Sequence, residues 1–600
     1  MTQTLYVDKS TGTFADPLLA YGLAVVMRDA LKRTCRRGRP EVHLRDQGAY
    51  YRLDFTPPLD DGRLAAIQAP YVPAVAVRTR KNAAKLPADL PPQAVVDYEA
   101  ERDKRAAFFD LRNNLPQEAR VAMARGEDHP ALAALRGQEP HEHWDIFRAI
   151  NPHAIAGYNK LMAQWWQVQE SLPEVLTLLR DLFAQTPNDV ATAQAAWKEL
   201  DKARGWGIKA EATAGQIYNP GQGKGQNRAK ASRLSMGNVS GFWLVEWLKA
   251  VGFYHAALTR QLRGVKDRKT YVLSPSEIDL GESGKIMHAF RGRMARAETA
   301  IRSDVLAAIR YTQALLDFTR REEGASLKAR LFEHQRPSRV VAGFYSAFYK
   351  NLGNAVATMN LAFIRLPNWI MIEKDSDIDD TLDVLAEHEE IVRQFDESHS
   401  DAYDLLLRYR DFLSGGEMRR FFEFSTAYSS YIIGQRERSG GRARQFTTTN
   451  LRRLIMHSQE APRLSKILET PGFQNIAYAI RQATVTAQYR KNQLKDRRYD
   501  VRYGLGQQLA RKAAYPQEFI AELSDFLAKY NAENAQVMEN RPGPYRRSIH
   551  TSDIDDIVAL IDEFQDSRLI CNMLVAYGYA RVPRTDDDNE KKQEINSGGD

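Results

Sequence analysis

Lysine and arginine side chains set among glycines and carboxamides are groups that hold phosphate oxygens, and the chain concentrates them between Tyr218 and Arg233. Gly221, Gly223 and Gly225 allow positive φ and close approach of the backbone to a ligand. Successive amides in such a turn can form an anion-binding nest. Lys224, Arg228, Lys230 and Arg233 add the cations, of the kind that pair with phosphate. Gln222, Gln226 and Asn227 each donate and accept hydrogen bonds, as base edges require. No Asp or Glu occurs between Glu211 and Glu246, so the charge is not cancelled locally. The same composition also describes a solvated basic loop. Nucleotide hydrolysis is not implied. Lys224 is followed by Gly225 instead of the Ser or Thr of a phosphate loop, and Arg228 stands where a dinucleotide fingerprint needs its third glycine.

Two further stretches are basic. Residues 435–453 carry Arg436, Arg438, Arg442, Arg444, Arg452 and Arg453 around Ser439-Gly440-Gly441, with Glu437 the only acid. This suits a sugar-phosphate track and equally a mobile inter-domain linker. Between 481 and 512, nine cations (Arg481, Arg490, Lys491, Lys495, Arg497, Arg498, Arg502, Arg511 and Lys512) face Asp496 and Asp500. That local excess is nearly the net charge of the whole protein, +8. A smaller cluster, Lys32, Arg33, Arg36, Arg37 and Arg39, reads either as a phosphate grip or as a helix end favoured by the helix dipole.

Catalytic sets are harder to assemble. His141-Glu142-His143 followed by Asp145 is the best metal candidate, but no further ligand is evident, and a polar surface turn is the simpler reading. Neither a His-Glu-x-x-His nor a Gly-x-Ser-x-Gly motif occurs. The acid pairs Asp379-Asp380 and Asp555-Asp556 lack the context of a two-metal nuclease. Cys35 has no partner base in sequence. The expectation is a protein without catalytic residues, metal or cofactor.

The elements that must position these groups follow from composition and periodicity. Six hundred residues, 43% hydrophobic and 27% charged, bury several cores. Cys35 and Cys571 offer neither a zinc site nor a disulfide framework, so a reducing compartment is the default. No apolar run is long enough to span a bilayer, and the first residues lack a secretory pattern; a cytoplasmic protein with no membrane partner is expected.

The fold class reads as α+β and mostly helical: a mixed α/β N-terminal part at 1–150, a mostly helical domain at 151–434 carrying the basic glycine-rich loop 218–233, an Arg-rich linker at 435–455, a C-terminal helical bundle at 456–582, and a disordered tail at 583–600. Pro17 to Arg33 predicts an amphipathic helix. Val42–Arg45 and Tyr50–Phe55 predict a hairpin around Asp46-Gln47-Gly48. Ser240 to Leu258 predicts a helix with Trp243, Trp247 and Tyr254 in the core, a rigid anchor for the loop. Lys269–Pro275 reads as an edge strand. Helices are expected to dominate from about 283 to 434, with the sets Phe344, Tyr345, Phe348, Tyr349 and Phe421, Phe422, Phe424, Tyr428, Tyr431 in the core. Ser552 is expected to cap a helix beginning there.

Tyr218-Asn219-Pro220-x-x-Gly223-Lys224-Gly225-x-Asn227-Arg228-x-Lys230 resembles a motif of the large subunits of type I CRISPR Cascade complexes, with closer likeness to the I-B type of the Myxococcus developmental-operon branch. Tyr499-Asp-Val-Arg-Tyr-Gly-Leu-Gly-Gln-Gln-Leu-Ala-Arg-Lys512, followed by Tyr515-Pro-Gln-Glu-Phe-Ile520, is a second point of likeness. The layout agrees over most of the chain, while residues 1–150 contribute no motif of their own.

The resemblance implies a non-catalytic subunit of a crRNA-guided complex. Such a subunit recognises the short protospacer-adjacent motif (PAM) in target double-stranded DNA, helps open the duplex and recruits a helicase-nuclease, while the guide reads the remaining sequence. Gly223, Lys224, Gly225, Gln226, Asn227, Arg228, Lys230 and Arg233 would then contact the PAM, the crRNA 5′ handle or the handle-binding subunit. Arg490, Lys491, Lys495, Arg497, Arg498, Arg502, Arg442 and Arg444 would hold the displaced strand or its backbone. Partners would be crRNA, target DNA, the backbone subunits and a small subunit. The last is expected to be the chain's own C-terminal part, translated separately from Met456, with Met418 as another start. The competing readings are a general RNA- or single-stranded-DNA-binding protein and a metal-dependent nuclease using His141, His143 and Asp145.

Overall fold

The computed structural model describes residues 3–35, 39–125, 128–223, 239–438, 441–540 and 545–583. The fold is α+β and mostly helical. It divides into two compact units, one formed by residues 1–297 and 340–364, the other by 298–339 and 365–600. The boundaries expected at 150 and 434 both fall inside a unit.

In the first unit an antiparallel sheet runs in the order Gln3–Asp8, Tyr50–Thr56, Glu41–Asp46, Glu277–Asp279. The predicted hairpin is its centre, with Leu44 opposite Leu53 and Leu53 opposite Leu5. The helix Ala15–Thr34 packs on this sheet. It is not amphipathic as expected: every residue from Ala15 to Met27 is buried. Its second side is covered by the helix Trp243–Ala256, hereafter the anchor helix. The two helices meet backbone to backbone. A Cβ on Gly22 would lie 1.9 Å from the Leu248 carbonyl oxygen, and one on Gly252 would lie 1.9 Å from that of Leu18.

A second sheet in the order Val356–Arg365, Val341–Asn351, Arg268–Pro275, Ala257–Gln261 corrects two expectations. Arg268–Pro275 is a central strand, buried along most of its length, and not an edge. The edges are Ala257–Gln261 and Val356–Arg365, the latter exposing Met359, Leu361 and Phe363. Moreover, the stretch expected to be dominated by helices contains this β-hairpin. Phe344, Tyr345, Phe348 and Tyr349 satisfy a helical period, yet pairing of Phe344 with Leu273 and Ala347 with Thr270 decides for strand. Phe344 and Tyr349 are buried as expected.

The second unit is helical among the described residues. Phe395, Tyr409, Phe412, Phe421, Phe424, Tyr428 and Phe446 form an aromatic core around the buried His388. His388 stacks on Phe421 and shares a 2.7 Å hydrogen bond with Tyr409. Residues 441–448, expected within a linker, are fixed within this unit. The Arg444 carbonyl accepts from Tyr428 at 2.5 Å, the Gln445 side chain donates to the Tyr579 carbonyl at 2.6 Å, and the Thr448 amide donates to Arg581 at 3.0 Å. Burial of Ala443 and Phe446 explains the attachment. The C-terminal helix Ser567–Tyr579 packs on Met418–Glu437 as well as on Pro471–Arg481. Thr551–Phe564 is capped by His550 with Asp553 completing a capping box, so Ser552 lies inside the helix. No helix among the described residues is long and apolar enough to cross a membrane.

Candidate nucleic-acid interface

The glycine-rich loop is closed at its base in the first unit. Glu211–Thr213 pairs with Ser240–Phe242, and the Ala214 amide donates to the Val239 carbonyl at 2.9 Å. Inside this stem the chain makes two consecutive turns. The Asn219 amide donates to Gly215 at 2.9 Å and the Gln222 amide to Asn219 at 3.0 Å. Tyr218 and Asn219 are buried. The Asn219 side chain donates to Glu246 at 2.6 Å and accepts from Lys249 at 2.8 Å, and Lys249 pairs with Glu246 at 2.7 Å. Glu246 and Lys249 belong to the anchor helix, which holds the loop as its sequence predicted.

Gly223 has φ +88°, and a Cβ there would lie 2.7 Å from Cδ of Gln216. Gln216 is held in turn, donating to Thr358 at 3.0 Å and accepting from the Tyr349 hydroxyl at 3.1 Å. Glycine at 223 is thus required by the turn. The remaining loop residues singled out from sequence, Lys224, Gly225, Gln226, Asn227, Arg228, Lys230 and Arg233, lie outside the described residues.

In the second unit a groove of about 580 Å³ brings two of the basic stretches together. One wall is formed by Gly441, Arg442, Ala443 and Arg444, the other by Gln488, Tyr489, Asn492 and Gln493, with Arg436 and Gln394 also lining it. The second wall is the helix Ala487–Gln493, which continues from a π-helical turn, Gln482–Thr486. Such turns recur at functional sites. Here the Ala483 carbonyl accepts the Arg502 amide at 2.8 Å, tying the following basic loop back to the helix. The local acid, Glu437, accepts from Gln488 at 2.7 Å and from Asn492 at 3.4 Å. Those hydrogen bonds, Gln488 first, hold its carboxyl below the ordinary range.

The cations differ in how free they are. Arg442 is exposed, and Arg444 is exposed with a 2.8 Å ion pair to Glu390. Arg436 is partly buried, donates to the Ala443 carbonyl and to Gln445, and is pulled below its usual pKa by burial. Lys495 and Arg497 are exposed, while Arg490 and Arg502 are half-buried. Lys491 lies against Tyr503, donating to its hydroxyl at 2.6 Å. Two cations of the 481–512 stretch, of which Arg498 is an expected contact, have other employment. Arg498 grips Asp496 through two nitrogens, which pulls the Asp496 carboxyl down to about 2. Arg481 donates to the Ala580 and Tyr577 carbonyls, and burial lowers it to about 10.

Other sequence candidates resolve structurally. Arg33 donates to the Gln68 and Pro70 carbonyls and lies over the Tyr71 ring. His141 and His143 are neighbours, with rings 5.6 Å apart. Asp145, however, is bound by Arg148 and Arg260. Burial, then Arg291, drives His143 down to about 2. Among the described residues no three metal-ligating side chains converge.

Sequence reasoning missed the aromatic component. Tyr489 is 51% exposed and Tyr503 39% exposed, and each sits among the cations. An exposed ring beside cations offers a base-stacking face. The run Gln488-Tyr489-Arg490-Lys491-Asn492-Gln493 carried that signal. Gln394 was not legible, since only the tertiary fold brings it to the groove. No family model and no curated protein matches the chain.

Proposed function

We propose that the protein binds nucleic acid, with the groove of the second unit holding a single strand. One observation carries the reading: exposed Arg442 and Arg444 face a helix that presents exposed Tyr489 between carboxamides. Cations for the backbone and an aromatic face for bases are the two requirements of sequence-tolerant single-strand binding. Following the likeness of its two motifs, the protein acts as the non-catalytic large subunit of a type I, I-B-like, Cascade complex in the cytoplasm. Its loop 218–233 recognises the PAM or the crRNA handle, the groove takes the displaced strand, and a helicase-nuclease is recruited to the assembly. The closed stem and the buried Asn219–Glu246–Lys249 cluster support a loop presented from a rigid base.

Purification of the untagged protein from its own cells, with sequencing of co-purifying RNA, tests this reading. Repeat-derived guide RNA and backbone subunits are expected. Binding to single strands without any guide RNA or partner subunits would favour a general RNA- or single-stranded-DNA-binding protein.

A further inference from the structure

A second polar cavity, of about 300 Å³, lies in the first unit. Its walls include Arg148 and His153 from the segment around the helix Trp144–Ile150, Lys266 and Arg268 at the start of a central strand, and the rings of Tyr98 and Tyr349. The charges do not balance. Asp145 is the acid of this lining, and it is already bound by Arg148 and by Arg260 behind it. Lys266 is exposed, and the acid that lines the cavity with it is engaged by the two arginines.

Arg268 is incompletely satisfied. Its Nη1 donates to the Ala149 carbonyl at 3.2 Å and its guanidinium lies 5.1 Å from the Tyr349 ring centre, but its Nε is buried without an acceptor. Arg260 Nε is buried without an acceptor as well. A guanidinium has only donors, so the missing partner must be an acceptor. Burial, and secondarily Arg148, pulls Arg268 below its ordinary pKa. Asp145 partly compensates Arg148, while Arg268 has no carboxylate partner of its own among the described residues, so the repulsion between the two guanidiniums is only partly offset. An anion would relieve both the unmet donor and the mutual repulsion.

We propose that this cavity binds the phosphate group of a nucleotide, held by Arg268 and Lys266 with Arg148 at its side. Guanidinium and ammonium groups are the usual phosphate ligands, and the volume is at the lower end of small-ligand sites. The phosphate comes either from a free nucleotide or from the 5′ end of a strand. The inference is independent of the groove in the second unit, because it rests on a separate set of residues.

Calorimetric titration of the full chain tests it, using inorganic phosphate, adenosine 5′-monophosphate, and a short RNA with either a 5′-phosphate or a 5′-hydroxyl. Saturable binding of the monophosphate is expected. Lys266→Ala and Arg268→Gln should each weaken it about tenfold or more, the loss of one charge-assisted hydrogen bond. Lys266 is exposed, so its variant remains informative even if Arg268→Gln fails to fold. A preference for the 5′-phosphorylated RNA that Lys266→Ala removes assigns the site to strand ends; its absence beside monophosphate binding assigns it to free nucleotides. No binding of phosphate or monophosphate together with no 5′-phosphate preference, or binding unchanged in Lys266→Ala and in folded Arg268→Gln, overturns the proposal.

Discussion

Asn219, at the base of the glycine-rich loop, donates a 2.6 Å hydrogen bond to Glu246 in the first turn of the anchor helix. Lys249 completes the arrangement by donating to both side chains. All three are buried, so each charge depends on the others. Lys249→Met leaves Glu246 uncompensated and should destabilise the first unit by about 3–5 kcal/mol. The double variant Glu246→Leu/Lys249→Met should recover much of that loss. Urea unfolding followed by tryptophan fluorescence checks both; equal losses in the single and double variants would rule out the coupling.

The contact between Gly22 and Gly252 reverses an ordinary rule. Alanine in place of a helical glycine usually gains up to about 1 kcal/mol. Here the added methyl would fall 1.9 Å from a backbone oxygen of the facing helix at either position. Gly252→Ala should therefore lower the unfolding temperature, and the loss should exceed that of an alanine placed at Gly284, which has open space around it. Thermal scans of the two variants provide the comparison.

Substitutions in the groove separate two physical contributions. Arg442→Ala and Arg444→Ala should each flatten the salt dependence of single-strand affinity by about 0.7 in log-log slope. Tyr489→Ala should cost about 1–3 kcal/mol of affinity and leave the slope alone. Fluorescence anisotropy with a labelled oligonucleotide, repeated across salt concentrations, distinguishes these effects. Slopes unchanged in both arginine variants would place the strand elsewhere.

Three desolvated histidines, His388 buried and His143 and His255 half-buried, make stability depend on acid. Burial holds His255 and His388 at about 3 and, with Arg291, holds His143 at about 2. Unfolded, each titrates near 6.5. Between these values only the unfolded chain binds the protons. Stability is therefore full above about pH 6.5 and falls steadily as the pH drops towards 3. His388→Gln, which can still bond Tyr409, should remove about 1.4 kcal/mol per pH unit from that slope. Denaturant midpoints measured from pH 7 to pH 4 report the difference.

The alternative starts at Met456 and Met418 differ in what they retain. Thr426 hydrogen-bonds Asn572 at 2.8 Å, and Gln488 donates to the Ile433 carbonyl at 3.0 Å. Gly506 sits so close to Ser429 that a Cβ there would be 3.0 Å from its hydroxyl oxygen. A chain beginning at Met456 loses all of these partners. It should unfold gradually, while one beginning at Met418 unfolds cooperatively. Circular dichroism melts of the two fragments decide the matter, and mass spectrometry of the cellular product shows whether either start is used.

Several features were legible before any coordinates. The hairpin around Asp46-Gln47-Gly48, the anchor helix and the buried aromatic set from Phe421 to Tyr428 follow from local periodicity and turn chemistry. The basic stretches were visible as acid-poor runs, because charge is written directly in residue type. Strand positions in the second sheet were not. Phe344 to Tyr349 fits two periods equally well, and only pairing with Arg268–Pro275 selects one.

The sequence by itself determined which segments are basic, which helices are apolar enough to be buried, and that the chain is mostly helical. Tertiary structure alone decided which charges remain available. Arg481 and Arg498 look identical to Arg442 in sequence, yet the first is consumed by helix-end carbonyls and the second by Asp496. It also placed Gln394 beside Tyr489, across a separation no local pattern encodes. The reason is physical: propensity and periodicity act over a few residues, whereas the partner that neutralises a charge or lines a groove is chosen by packing of the whole unit.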